Sequence, residues 1–199
     1  MAEIVFNPSF SSSYSYFAAQ LIDEVAARHG ASVAWCPIRL ARIHDHHHPE
    51  GRPPRLAVRN RYLRRDAERI AGLRGLPLTF PAAFPPDSDL TAEICYALGG
   101  RQGGVRRAVQ ALMVAIYGRG EPMRTLDEIA AGLAAAGYDP AEIRQAAADP
   151  AGKAGHDAAL AAALESGMFG APWFTIEGEA FWGHDRLPYI EDWLRQRRT

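Results

Sequence analysis

Cysteine is almost missing from this chain. Among 199 residues only Cys36 and Cys95 occur, far apart, so neither a disulfide framework nor a Cys-x-x-Cys pair exists. Cys36 sits in an apolar strand and Cys95 on a helix between Ile94 and Tyr96, places that suit inert buried thiols. Net charge is also missing. At −1 there is no general reason to expect nucleic acid or a membrane surface as a partner. No apolar run approaches the length of a membrane helix, and the N-terminus lacks a basic segment followed by an apolar signal core. The expected location is therefore the cytoplasm. There are no internal repeats. The run His46-His47-His48 is read as a solvated loop, because adjacent histidines rarely converge on one ion and no Cys or Glu lies at ligand spacing.

What is present suits a packed soluble core, with 48% apolar and 23% charged residues. The length fits one large domain, or one domain carrying an insertion. Ile4-Val5-Phe6 reads as a first strand. Tyr14, Phe17, Ala18, Leu21, Ile22 and Val25 follow at helical spacing until Gly30. Ser32 to Ile38 makes a second strand, so the opening is βαβ, with parallel pairing expected. Residues 39–57 read as a loop. From about residue 60 the pattern turns helical, with helices expected over 90–98, 105–117, 126–136 and 151–166. Thr125 and Glu128 supply a capping box.

Near the end, a helix stops at Gly167 and a loop closes on Ala171-Pro172. Trp173–Ile176 and Glu179–Trp182 then read as two strands around a Glu177-Gly178 turn. Pro172 brings a candidate cis peptide, since only X-Pro bonds adopt that isomer cheaply. Asp185 precedes the last helix, 187–196, and from local sequence alone capping that helix is at least as natural a role as holding a ligand; both can hold at once.

Ser12-Ser13-Tyr14-Ser15 opens the first helix. A helix N-terminus concentrates free backbone donors and positive dipole, which suits a thiolate or another anion. The plainer alternative is that Ser11, Ser12 or Ser13 caps the helix. Thiol–disulfide exchange is excluded at this motif, because that reaction needs an attacking thiol of lowered pKa and usually a resolving one.

Gly170-Ala171-Pro172, the hairpin and Phe181-Trp182-Gly183-His184-Asp185-Arg186-Leu187 together resemble the 2-hydroxychromene-2-carboxylate isomerases. These are relatives of kappa-class glutathione transferases in the DsbA-like branch of the thioredoxin fold. Ser12-Ser13-Tyr14-Ser15-Tyr16 is similar to their Ser-Pro-aromatic-Ser-Tyr motif, with Ser13 in place of proline. Tyr62-Leu63-Arg64-Arg65-Asp66-Ala67-Glu68-Arg69 resembles their Tyr-Leu-x-x-Asp-x-x-Arg helix. The family's Gly-Asn-x-Pro-Pro element reads Glu50-Gly51-Arg52-Pro53-Pro54, so its Asn is Gly51 here, with Arg52, Arg55 and Arg59 nearby.

The resemblance implies an α/β, thioredoxin-like fold with an all-helical insertion: residues 1–59 and 151–199 form the first, 60–150 the second. It also implies glutathione as cofactor, with Ser12 facing the sulfur as the catalytic residue. Ala171 and Pro172 would line the peptide, and His184 with Asp185 would hold its γ-glutamyl end. Phe80-Pro81 and Phe84-Pro85 would wall the aromatic part of a small-molecule substrate, or simply pack in the core. The implied activity is glutathione-dependent isomerisation of an unsaturated aromatic 2-oxo acid. The rivals are a kappa-like glutathione transferase and a thiol-less binding module without catalysis. Members of the family are often dimers, which leaves a homodimer open.

Overall fold

The computed structural model describes residues 1–54, 56–100 and 104–197. Strand β1 (Glu3–Asn7) pairs in parallel with β2 (Ser32–Trp35), Phe6 standing opposite Trp35. The pairing runs on beyond β2: Cys36 donates to the Phe6 carbonyl at 2.8 Å and Ile38 to that of Pro8 at 3.0 Å. Between the strands, the single helix expected from the spacing is two, α1 (Ser13–Ala19) and α2 (Ile22–Arg28). At the break Leu21 bonds three residues back, to Ala18, at 3.0 Å. The apolar face is continuous across it, with Phe17, Ala18, Ile22 and Val25 all buried.

β3 (Trp173–Ile176) and β4 (Glu179–Trp182) have the bounds expected from their aromatic and β-branched runs. Glu177 and Gly178 both take positive φ, 49° and 87°, the type I′ pattern that matches strand twist in a two-residue hairpin. β3 also runs antiparallel to β1, so the sheet order is β2-β1-β3-β4. Phe6 anchors its core, stacked on Phe174 at 5.0 Å and edge-on to Trp35 at 4.9 Å.

One correction falls between β2 and the helical region. Residues 39–57 are not a continuous loop, because α3 (Leu40–His47) occupies half of it. Its apolar face buries Ile43 in a satellite cluster with Ala163, Met168 and Trp173. Three histidines and an aspartate mask that short face in the sequence.

The helical region comprises α4 (Ala57–Arg74), α5 (Ser88–Ala97), α6 (Gly104–Met113), α7 (Leu126–Ala134) and α8 (Pro140–Ala147), before α9 (Pro150–Glu165). α6 ends in a π-helical turn, Val114–Gly118. The Thr125 capping box forms: its hydroxyl accepts from the Glu128 amide at 3.3 Å and the Glu128 carboxylate accepts from the Thr125 amide at 3.0 Å. Two buried phenols tie this region to the first helix and the turn before it. Tyr16 donates to the Pro77 carbonyl at 2.9 Å, and Tyr117 to that of Phe10 at 3.0 Å. The last helix, α10 (Leu187–Gln196), packs on α2. The whole is a thioredoxin-like sheet and its helices, interrupted by an all-helical insertion. No helix among the described residues is long and apolar enough to cross a membrane.

Candidate functional site

Ser12 is the N-cap of α1. Its hydroxyl oxygen accepts from the Ser15 amide at 3.2 Å and its proton goes to the Ala171 carbonyl, 3.1 Å away. The cap and the loop before β3 are therefore one structure, although 159 residues separate them in sequence. The Ala171–Pro172 peptide is cis. Both neighbouring carbonyls are already engaged, since Pro172 accepts from the Gly183 amide at 3.0 Å. Ser15, fully buried, fixes the preceding turn by accepting from the Ser9 amide at 3.1 Å.

The Gly183 bond draws the next segment, a 3-10 turn over His184–Arg186, against the same corner. Asp185 does not cap α10, whose N-cap is Arg186 without any side-chain bond. Its carboxylate instead pairs with the Arg186 guanidinium at 2.8 Å and folds back over Gly183. The His184 ring lies 4.9 Å from Tyr14 and 5.8 Å from Phe17, centroid to centroid. Its Nδ1 is buried without a hydrogen-bond partner, and burial lowers its pKa below the usual histidine value.

Tyr14 itself donates to Asp66 Oδ2 at 2.8 Å, which fastens α4 to α1. Burial first, and then that carboxylate, push the phenol well above its ordinary pKa. Asp66 and Arg69, three positions apart on α4, form a stretched ion pair at 3.9 Å. The link to Tyr14 was not read from the sequence, where nothing connects positions 52 residues apart.

Beside the serine turn, an open cleft of about 420 Å³ runs between α3 and the connector that leads into α5. Ser11, Arg39, His44, Arg52, Phe84 and Arg124 are among its walls. Of the two expected Phe-Pro pairs, Phe84-Pro85 lines this cleft. Phe80 instead lies under the Arg64 guanidinium, 4.6 Å away, and edge-on to Tyr117. Arg52 pairs with Asp45 at 2.7 Å, while Arg55 lies outside the described residues.

The histidine run is solvent-exposed at His46 and His47, as expected, but it is the end of a helix and not a loop. His47 ends α3 with its Nε2 2.8 Å from the Met168 carbonyl, so it ties α3 to the loop that leads to Pro172. Among the described residues, no group of three or more His, Cys, Asp or Glu side chains gathers as a metal site would need. The thiols stand apart from this corner. Cys95 is fully buried and Cys36 partly so, and burial raises both above the ordinary thiol pKa.

Fold and site together define a DsbA-like thioredoxin domain whose helix-capping position carries a hydroxyl instead of a redox thiol pair. The model of the DSBA-like thioredoxin domain matches residues 3–195. A protein of Sphingobium xenophagum named 2-hydroxychromene-2-carboxylate isomerase is 32% identical over 190 residues, which covers 93% of this chain and 94% of that protein. One of the same name from Pseudomonas putida is 28% identical and covers 92% and 89%. A solved 2-hydroxychromene-2-carboxylate isomerase superposes with a TM-score of 0.84 at 28% identity, over 98% of this chain and 95% of that one. The chain belongs to the 2-hydroxychromene-2-carboxylate isomerase family of DsbA-like thioredoxin domains.

Proposed function

We propose that this protein is a glutathione-dependent isomerase acting on an unsaturated aromatic 2-oxo acid. The names of the relatives support isomerase activity. The observation that carries the finer reading is the Ser12 hydroxyl held 3.1 Å from the Ala171 carbonyl beside cis-Pro172. A hydroxyl donor stands where a thioredoxin-type enzyme keeps its thiol, so the reacting sulfur must come from a ligand.

The residues present fit glutathione. Ser12 would donate to its sulfur, and Ala171 and Pro172 would line the peptide. Asp185 would pair with the α-ammonium of the γ-glutamyl end, and the orphaned Nδ1 of His184 offers that end a polar partner. Bound glutathione would supply a thiolate whose reversible addition turns the substrate's double bond into a rotatable single bond. The chain's own share is orientation and anion stabilisation. Ser12 lowers the thiol pKa by donating to the charged form, and the cleft lined by Phe84-Pro85 holds the substrate beside it. The thiol proton passes to solvent as the thiolate forms, and addition and elimination through the same sulfur consume no further proton.

Calorimetric titration with reduced glutathione, followed by product analysis with an unsaturated aromatic 2-oxo acid, tests this. The expected product is the geometric isomer, with glutathione recovered unchanged. A stable conjugate would make the protein a transferase. Absence of glutathione binding would make it a non-catalytic module.

A further inference from the structure

The geometry points to a carboxylate subsite in the cleft between α3 and the α5 connector, where Arg39 and Arg124 hold the carboxylate of an aromatic 2-oxo acid. The inference rests on the isomerase reading for its choice of ligand and deepens it by naming the residues that select the acid.

Three observations carry it. First, the cleft is cationic. Arg39, Arg52 and Arg124 line it with His44, and Asp87 is the one carboxylate among its walls. Asp87 is occupied, accepting from the Leu90 amide at 3.3 Å as the cap of α5. Second, the charges are not all spent inside the protein. Arg52 is neutralised by Asp45 at 2.7 Å. Arg39 pairs with Asp89, which Arg42 shares at 2.9 Å, so two guanidiniums divide one carboxylate. Arg124 has no carboxylate partner for its guanidinium among the described residues. Third, Arg39 is held at both ends. Asp89 grips the guanidinium, and the fully buried His156 accepts from the Arg39 amide at 3.2 Å. A planar guanidinium fixed in this way meets a carboxylate at a small entropic cost.

The apolar wall decides which carboxylate. Phe84, 43% exposed, with Pro85 and Pro86 flanks the arginines, and an aromatic ring would cover that surface. The glycyl end of glutathione carries a carboxylate but nothing to lay on a phenyl ring. Ser11 belongs to the same wall, one residue from Ser12, so the cleft borders the turn that carries the proposed sulfur donor.

The test uses the full chain and phenylpyruvate, an aromatic 2-oxo acid, titrated by calorimetry without glutathione. Arg124→Gln and Arg39→Gln should each weaken phenylpyruvate by about ten- to a hundredfold, the loss of one charge-assisted hydrogen bond. Arg124→Lys should recover part of that, and the glutathione Kd should stay within about twofold in each variant. Native circular dichroism checks that Arg39→Gln, which frees Asp89, still folds, and Arg124→Gln carries the test if it does not. Loss of glutathione with phenylpyruvate retained would assign the subsite to the peptide and overturn the inference. Equal binding of phenylpyruvamide, or no binding of phenylpyruvate to the wild type, would also overturn it. If phenylpyruvate behaves as expected while glutathione binding and isomerisation are absent, the isomerase reading fails and the carboxylate subsite stands.

Discussion

Ser12→Ala separates the cap that Ser12 forms from the thiolate donor it is proposed to be, because each carries its own magnitude. The substitution removes an N-cap and a bridge to the Ala171 carbonyl, at 3.2 and 3.1 Å. A lost cap costs about 1 kcal/mol and a lost neutral hydrogen bond about 1 more. A total near ~2 kcal/mol lowers the melting temperature of a chain this size by roughly 4–8 °C. The effect on a bound thiol is smaller than the hydroxyl alone would suggest. A hydrogen bond to an anion contributes about 1.5–3 kcal/mol, but the single serine proton must first leave Ala171, forfeiting about 0.5–1.5. Around the middle of these ranges the net gain is about 1.2 kcal/mol, which lowers the thiol pKa by about one unit, within roughly 0.5–1.5, from ~8.5.

At pH 7 the thiolate fraction then rises from about 3% to between about 9% and 50%. Ser12→Ala should accordingly slow turnover at neutral pH by about three- to fifteenfold, with recovery near pH 9 as the thiol ionises unaided. Scanning calorimetry reads the first role. A pH–rate profile with ultraviolet titration of the bound thiolate reads the second. A lowered melting temperature with an unchanged thiolate pKa would reduce Ser12 to a cap. Loss of activity at every pH, with glutathione binding intact, would refute the donor role from the other side and make the serine a nucleophile.

Asp185→Ala should weaken glutathione by only about 0.5–1 kcal/mol, because the carboxylate is 56% exposed and already paired with Arg186; calorimetry giving identical affinities would remove it from the site. Gly183→Ala should destabilise the turn by about 1–3 kcal/mol, since Gly183 sits at φ 112° and a Cβ there would strike the Asp185 carboxylate; chemical denaturation without any loss would show that the turn adapts. Burial holds the pKa values of His184 and His156 below the usual one, so below about pH 6.5 the unfolded chain takes up protons that the folded chain refuses. Their contribution to stability is present above that pH and is lost as the pH falls through the folded values. A denaturation midpoint independent of pH between 7 and 5 in wild type, or an identical slope in His184→Phe, would count against this.

Legibility in the sequence followed the range of the interaction. The β3–β4 hairpin, α10 and the Thr125 capping box stand where local patterns put them, because turn residues, aromatic runs and caps act within a few positions. α3 was masked because its apolar face is carried by few residues amid histidines. The break between α1 and α2 left no mark, since the buried face continues through it. The cleft lay furthest from view. Its walls come from Ser11, Arg39, Arg52, Phe84 and Arg124, and no periodicity connects those positions. The same holds for Ser12 and Ala171, whose bond exists only once the sheet has formed.

The occupied state of that bond constrains what can bind. Ala171 is only 8% exposed, so turning the Ser12 proton toward a ligand forfeits the bond to its carbonyl, at the same cost of about 0.5–1.5 kcal/mol. A bare thiolate takes the proton and gives nothing back, so it keeps only the remainder. A cysteinyl peptide carries an amide N–H a few bonds from its sulfur and can return a donor to the Ala171 carbonyl while its thiolate accepts from Ser12. On the proposed reading the corner would therefore favour thiols that are part of a peptide over small ones, and the discrimination would arise from the serine. An apolar residue at position 12 would leave the carbonyl unpartnered before any ligand arrived. A cysteine there would bring its own sulfur and compete with the ligand's for the same place.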